Sequence, residues 1–145
     1  MYVTRSFAIA ALCALAGSAA AAGYYDGETA LLCTAYRMAQ CDASDGCVSV
    51  KPEDIGAANG QWLVDFKHKT LKPANPKNDH TSKIITVQYL NGVLYAQSVD
   101  DPGNPELRGG AAWSLSVSDP DGAMTLAVAG NAVAFVGTGA CVPTK

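Results

Sequence analysis

Apolar and polar residues alternate along the last third of the chain, as they do in strands that have one buried face. The pattern runs through AWSLSVS, AMTLAVA and AVAFVG, which are separated by the turn sequences DPDG and Gly130-Asn131. The side chains predicted to face the core are Trp113, Leu115, Val117, Met124, Leu126, Val128, Val133 and Phe135. These segments predict a meander of three antiparallel strands.

Upstream, KIITVQYL and VLYAQSV flank Asn91-Gly92. This dipeptide is the strongest short-range signal for a β-hairpin, because its tight turn needs a positive φ at both central residues. QWLVDFK adds a strand with Trp62, Val64 and Phe66 on one face.

The segment Thr29–Gln40 fits both a strand, with Leu32, Thr34, Tyr36 and Met38 on one face, and a helical stripe. The surrounding β-rich sequence favours the strand. Pro52 followed by two acids predicts a brief helical turn. The chain therefore predicts an all-β fold, an antiparallel meander of seven to eight strands forming a small barrel or a strongly curled sheet.

The first residues have the features of a secretory signal peptide. Arg5 precedes an apolar run from Phe7 to Ala16, and small residues end in an A-x-A site at Ala20–Ala22. The run is shorter than the 18 or so residues that a membrane-spanning helix needs. We therefore expect residues 1–22 to be cleaved, leaving 23–145 as one periplasmic or secreted domain without a membrane span.

Four cysteines remain after this cleavage: Cys33, Cys41, Cys47 and Cys141. An even number in an oxidising compartment indicates two disulfides, for which three pairings exist. The gaps do not match the C-x₂₋₄-C spacing of zinc sites, so no metal is predicted. A strand or helix would hold Cys33 and Cys41 too far apart, whereas the turn-forming DASDG can bring Cys41 and Cys47 together. We expect Cys41–Cys47 and Cys33–Cys141.

The net charge disfavours nucleic acid as a partner. Without Arg5, nine basic residues stand against thirteen acidic ones. Nucleic-acid binding depends on concentrated positive charge, so a nucleic-acid partner is not expected.

The stretch Lys67–Lys83 is locally positive on this acidic chain. It contains one acid and these basic side chains: Lys67, His68, Lys69, Lys72, Lys77, His80 and Lys83. One interpretation is a patch for an anionic ligand or acidic partner. The other is a solvated loop, in which Pro73 and Pro76 interrupt regular structure. The stretch has no phosphate-binding-loop pattern, which favours the solvated loop over the binding patch.

No catalytic residue is predicted, because the chain has no hydrolase elbow and no H-E-x-x-H motif, and no cysteine stays free to act if both expected disulfides form. His68 or His80 beside Asp65 or Asp79 leaves a small hydrolase as an alternative. The aromatic side chains of Trp62, Trp113, Phe135 and Tyr89 could line a pocket, but a small barrel is more often filled by such groups. No cofactor is expected.

The order C…C…DGC, WLVDF…KT, a β-hairpin, AWSLSVSDPDGAM and AFVGTGAC resembles a group of uncharacterised small exported proteins of alphaproteobacteria. The resemblance implies export, a β fold and paired cysteines, and it transfers no activity. In architecture alone, the expected fold is similar to periplasmic lysozyme inhibitors. The function expected is that of an exported, non-enzymatic binding or inhibitor-like module with a protein or small-molecule partner in the envelope. An envelope structural protein is the other alternative.

Overall fold

The computed structural model describes residues 23–55, 58–75, 77, 80–100 and 110–145. The predicted signal peptide lies outside these ranges. The described residues form ten strands: β1 (Leu31–Asp42), β2 (Gly46–Val50), β3 (Gln61–Asp65), β4 (Thr70–Pro73), β5 (Ser82–Lys83), β6 (Thr86–Leu90), β7 (Val93–Asp100), β8 (Ala111–Ser118), β9 (Ala123–Gly130) and β10 (Val133–Pro143). Short 3₁₀ turns at Pro52–Ile55 and Ala58–Gly60 link β2 to β3, so the helical turn predicted at Pro52 is confirmed.

All strand pairs are antiparallel, in the order β5-β4-β3-β1-β10-β9-β8-β7-β6, and β2 pairs with the second half of β1. The sheet curls strongly into a half-barrel, which confirms the predicted fold class. The strand count exceeds the predicted seven to eight. β4 and β5 lie inside the stretch interpreted as a loop, and both are too short for their alternation to stand out.

The first and last strands pair side by side over most of their length. Cys33 is directly opposite Cys141, and the two form a disulfide across the pair. Cys41 is directly opposite Cys47, and these also form a disulfide. Both predicted pairings are confirmed.

β1 contains a β-bulge that corrects the predicted face of this strand. The register with β10 shifts between Ala35 and Arg37, so Tyr36 is the extra residue. Before the bulge the buried side chains are those of Leu31, Cys33 and Ala35, and after it the buried side chain is that of Met38. Tyr36 is 71% exposed, so the prediction that Leu32, Thr34 and Tyr36 share the face of Met38 was wrong.

The predicted inner faces of β3, β8 and β9 are confirmed, and one contiguous core lies on the concave side of the sheet. The buried members are Tyr25, Leu31, Cys33, Ala35, Met38, Trp62, Val64, Phe66, Ile84, Leu94, Ala96, Ala111, Trp113, Leu115, Val117, Met124, Leu126, Phe135 and Cys141. Trp62, Trp113 and Phe135 are thus part of a filled interior. Tyr89 is not, because 49% of it is exposed at the edge of the sheet.

Tyr25 packs into this core from the segment that precedes β1. Its hydroxyl donates to the carbonyl oxygen of Cys141 at 3.0 Å. Burial, together with the nearby Asp119 and Asp121, raises the pKa of Tyr25. The N-terminal segment is therefore anchored against the C-terminal strand beside the disulfide.

The two edges of the sheet meet at Ile84 and Ile85, between β5 and β6. The N–H of Ile84 donates to the carbonyl of Lys69 at 2.8 Å, and the N–H of Ile85 donates to the carbonyl of Gln97 at 3.0 Å. Ser98 Oγ donates to the carbonyl of Lys83 on the same side. Beyond this point β6 pairs with β7 alone. In the described part of the chain, no helix is long and apolar enough to cross a membrane.

Two glycines of β10 provide a test of the β1–β10 pairing. A Cβ at Gly139 would overlap the carbonyl oxygen of Thr34 and lie 2.9 Å from Ala35 Cα, both of them backbone atoms that cannot move aside. A Cβ at Gly137 would meet Met38 Cγ at 3.5 Å, an ordinary contact. We expect Gly139→Ala to lower the free energy of unfolding by about 1–3 kcal/mol. Gly137→Ala should leave it unchanged or raise it by up to about 1 kcal/mol.

Urea unfolding of the disulfide-bonded protein measures both variants. Equal stabilities for the two would contradict the close approach of the two strands at Gly139.

Candidate functional site

The hairpin of β3 and β4 is built around the side chain of Asp65, at the last position of β3. Asp65 Oδ1 accepts a hydrogen bond from the backbone N–H of His68 at 2.9 Å, and Oδ2 lies 2.7 Å from His68 Nδ1. Lys69 takes a positive φ of 54° and leads into β4, where Thr70 lies opposite Asp65. The carboxylate therefore holds both the backbone and the ring of His68 and fixes the turn.

Four exposed lysines lie on or beside the same hairpin, Lys67 and Lys69 in its turn, Lys72 on β4 and Lys83 on β5, and we call this group the lysine face. Leu71 packs against the core, so Lys72 points to the other side of β4. Lys83 lies opposite Thr70 and is thus a diagonal neighbour of Lys72, with about 7–8 Å between such positions. The hydrogen bond from the N–H of Ile84 to the carbonyl of Lys69 brings the backbone of Lys69 next to that of β5.

The remaining members of the predicted patch lie elsewhere. Lys77 is exposed in the connection that follows the far end of β4, away from the hairpin turn. His80 is half-buried and its Nε2 is shielded from solvent. Pro76 and Asp79, which sequence analysis also placed in this stretch, lie outside the described residues. Four of the five lysines thus lie on or beside the β3–β4 hairpin, and the fifth, Lys77, lies beyond the far end of β4.

Charge on the lysine face is not neutralised locally. Among the residues that the structure describes, none of its four lysines has a carboxylate oxygen within 4.0 Å. The nearest acid in the hairpin, Asp65, is occupied by His68. The hydrogen bond from the His68 side chain, followed by the one from the His68 backbone, lowers the pKa of Asp65. Asp65 therefore stays ionised to a lower pH than an ordinary aspartate does, and among the described residues it is paired with His68 rather than with a lysine.

The Asp65–His68 pair has the form of an oriented base, but its surroundings do not complete a catalytic centre. The His68 side chain is 70% exposed on a turn. Within the described ranges no hydroxyl or thiol is hydrogen-bonded to its ring, and all four cysteines of these ranges are in disulfides. The same part of the chain holds no cluster of three or more His, Cys, Asp or Glu side chains that could bind a metal ion.

A pocket lies on the outer face of the curled sheet, opposite the core, over β7, β8 and β9. It has a volume of about 480 Å³ and is lined mainly by small or uncharged side chains, including Gln97, Ala112, Ser114 and Ala127. None of the described residues that line it is charged. The lysine face, which has charged side chains, is therefore the better candidate for a binding site than this pocket.

Sequence analysis identified these lysines but missed the role of Asp65. The signal was present as an Asp three residues before His68, since Asx side chains commonly cap a backbone N–H two or three residues further on. Asp65 was interpreted only as a carboxylate close to His68, the candidate base.

Comparison with protein-family models, curated proteins and solved structures finds no match to this chain. No activity, ligand or partner can therefore be transferred to the site from a relative.

The Asp65–His68 contact can be tested by titration. We expect the Asp65 carboxyl to titrate below the ordinary Asp pKa of about 3.9, because hydrogen bonds to His68 favour its charged form. Because the pKa of Asp65 is lower in the folded than in the unfolded protein, the contact stabilises the fold fully at pH values above the ordinary Asp pKa. This contribution is lost as the pH falls through the lowered pKa of the folded state. His68→Ala should raise the pKa of Asp65 partway, since the backbone hydrogen bond stays. Carboxyl ¹³C NMR measures the shift.

His80→Ala is the matched control and should leave the titration of Asp65 unchanged. An ordinary Asp65 pKa in the unsubstituted protein would contradict the contact.

Proposed function

We propose that this chain is an exported, non-enzymatic binding module that recognises the acidic surface of a protein partner in the bacterial envelope. The observation that carries the proposal is the lysine face, four exposed lysines on and beside one hairpin of an acidic protein, none with a carboxylate oxygen within 4.0 Å among the described residues. A local field of one sign speeds the encounter with a partner of opposite charge and favours one orientation of docking.

Two further observations support the export part of the proposal. Both disulfides fit an oxidising compartment, and the described residues include no helix that could span a membrane. The finer statement, that residues 1–22 are a cleaved signal peptide and that the mature chain is periplasmic, rests on the sequence pattern. The resemblance to small exported proteins of alphaproteobacteria likewise rests on the sequence pattern.

A binding role accounts for the hairpin better than hydrolysis does. Asp65 and His68 contact each other and the turn backbone, which is what a turn-fixing pair does. A hydrolase would need a placed nucleophile at His68 Nε2.

Replacing lysines on and off the lysine face tests the proposal. We compare Lys67/Lys69/Lys83→Gln with Lys51/Lys77/Lys145→Gln, since both triple variants remove three exposed lysines and change the net charge equally. The first probe is poly-L-glutamate in low salt. The lysine-face variant should bind it at least about tenfold more weakly than the control variant does.

Pull-downs from envelope fractions, with each variant as bait, then look for proteins kept by the control and lost by the lysine-face variant. Equal losses in both variants would show that only net charge matters and would contradict a built site. Full retention of every partner by the lysine-face variant would do the same.

A further inference from the structure

Strand β6 is the end of the sheet order, and its outer edge is not paired with any strand among the described residues. The chain from Ile84 to Val99, which includes β6, its turn and most of β7, contains no charged residue. Apolar side chains are exposed along this edge: Ile85 at 61%, Val87 at 36%, Tyr89 at 49% and Leu90 at 61%.

Other edges of the molecule have the features that prevent strands from pairing with a neighbour. β4 and β5 have lysines and Pro73, and β5 is only two residues long. β2 is bounded by Asp45 and Lys51. β6 has none of these devices, so it is the edge at which another strand can add without burying a charge.

The hairpin geometry shows which backbone groups the edge offers. Asn91 and Gly92 form a two-residue turn with φ of 51° and 79°, and Leu90 pairs with Val93 across it. Such a turn closes on a hydrogen-bonded pair, and hydrogen-bonded and non-hydrogen-bonded pairs then alternate. Leu90, Gln88 and Thr86 therefore direct their backbone groups to β7. Val87 and Tyr89 direct their N–H and C=O groups to the free edge.

We propose that β6 pairs antiparallel with β6 of a second copy of this chain, about a twofold axis at Gln88. In this register Val87 of each copy exchanges two hydrogen bonds with Tyr89 of the other, and the two Gln88 side chains face each other across the axis. The pairing satisfies both free residues of each edge and joins the two sheets into one.

Two observations favour a second copy as the occupant. A twofold axis brings each residue against the same edge, so an uncharged strand meets no repulsion from itself. The edge is also ordered before association, because the Tyr89 hydroxyl donates to Asp119 Oδ2 at 3.0 Å and holds the ring in place. A pre-ordered edge loses little conformational freedom on pairing.

Charge reversal at the axis tests this register. Gln88 is exposed, so Gln88→Lys and Gln88→Glu should fold normally. Each places like charges directly opposite each other in the dimer and should weaken association about fivefold or more. An equimolar mixture of the two places opposite charges there and should associate at least as tightly as the unsubstituted protein. Thr125→Lys and Thr125→Glu, on the exposed face of the doubly paired β9, are the matched controls and should change nothing.

Sedimentation equilibrium on the disulfide-bonded protein, from micromolar to near-millimolar concentration, measures these constants, and circular dichroism verifies folding. A monomer throughout this range would overturn the proposal and leave the edge to a different polypeptide. A dimer that is insensitive to charge at Gln88, or that the mixture fails to restore, would place the interface elsewhere and would overturn it equally.

Discussion

The pairing of β1 with β10, fixed by Cys33–Cys141, is the constraint on which the rest of the structure depends. It joins the two ends of the domain at the middle of the sheet order, with β3, β4 and β5 on one side and β9, β8, β7 and β6 on the other. Without it the sheet would divide into two smaller ones, each with a new open edge. The bulge at Tyr36 and the glycine at position 139 belong to the same seam, because one re-aims β1 and the other allows the backbones to approach.

The curl that follows from this seam also separates two kinds of surface. β5 and β6 follow each other in the chain, yet one belongs to the lysine-bearing edge and the other to an edge without charge. Ile84 and Ile85 hold the two edges together at one level only. The continuous segment from β5 to β6 thus contributes Lys83 to a charged surface suited to acidic partners and, in β6, an apolar edge suited to a second copy.

Much of this fold could be predicted because β8, β9 and the Asn91-Gly92 hairpin alternate cleanly, and because spacing alone limited the disulfides. The face of β1 could not be predicted, since a bulge at Tyr36 breaks the two-residue period without a mark in the sequence. β4 and β5 were missed because they are short and form only by pairing with each other and with β3. The lysines were predicted as a group. Which of them lie on or beside the β3–β4 hairpin could not be predicted, because it depends on the pairing of those same strands.

Removal of each disulfide in turn is the most direct measurement of the seam's importance. Cys33→Ala/Cys141→Ala opens a loop with a sequence separation of 108, and Cys41→Ala/Cys47→Ala one with a separation of 6. In the chain-entropy model these losses are up to about 4.7 and about 2.4 kcal/mol in the free energy of unfolding. We expect the variant without Cys33–Cys141 to be clearly the less stable of the two in urea. Equal stability, or a greater loss from the hairpin disulfide, would contradict it.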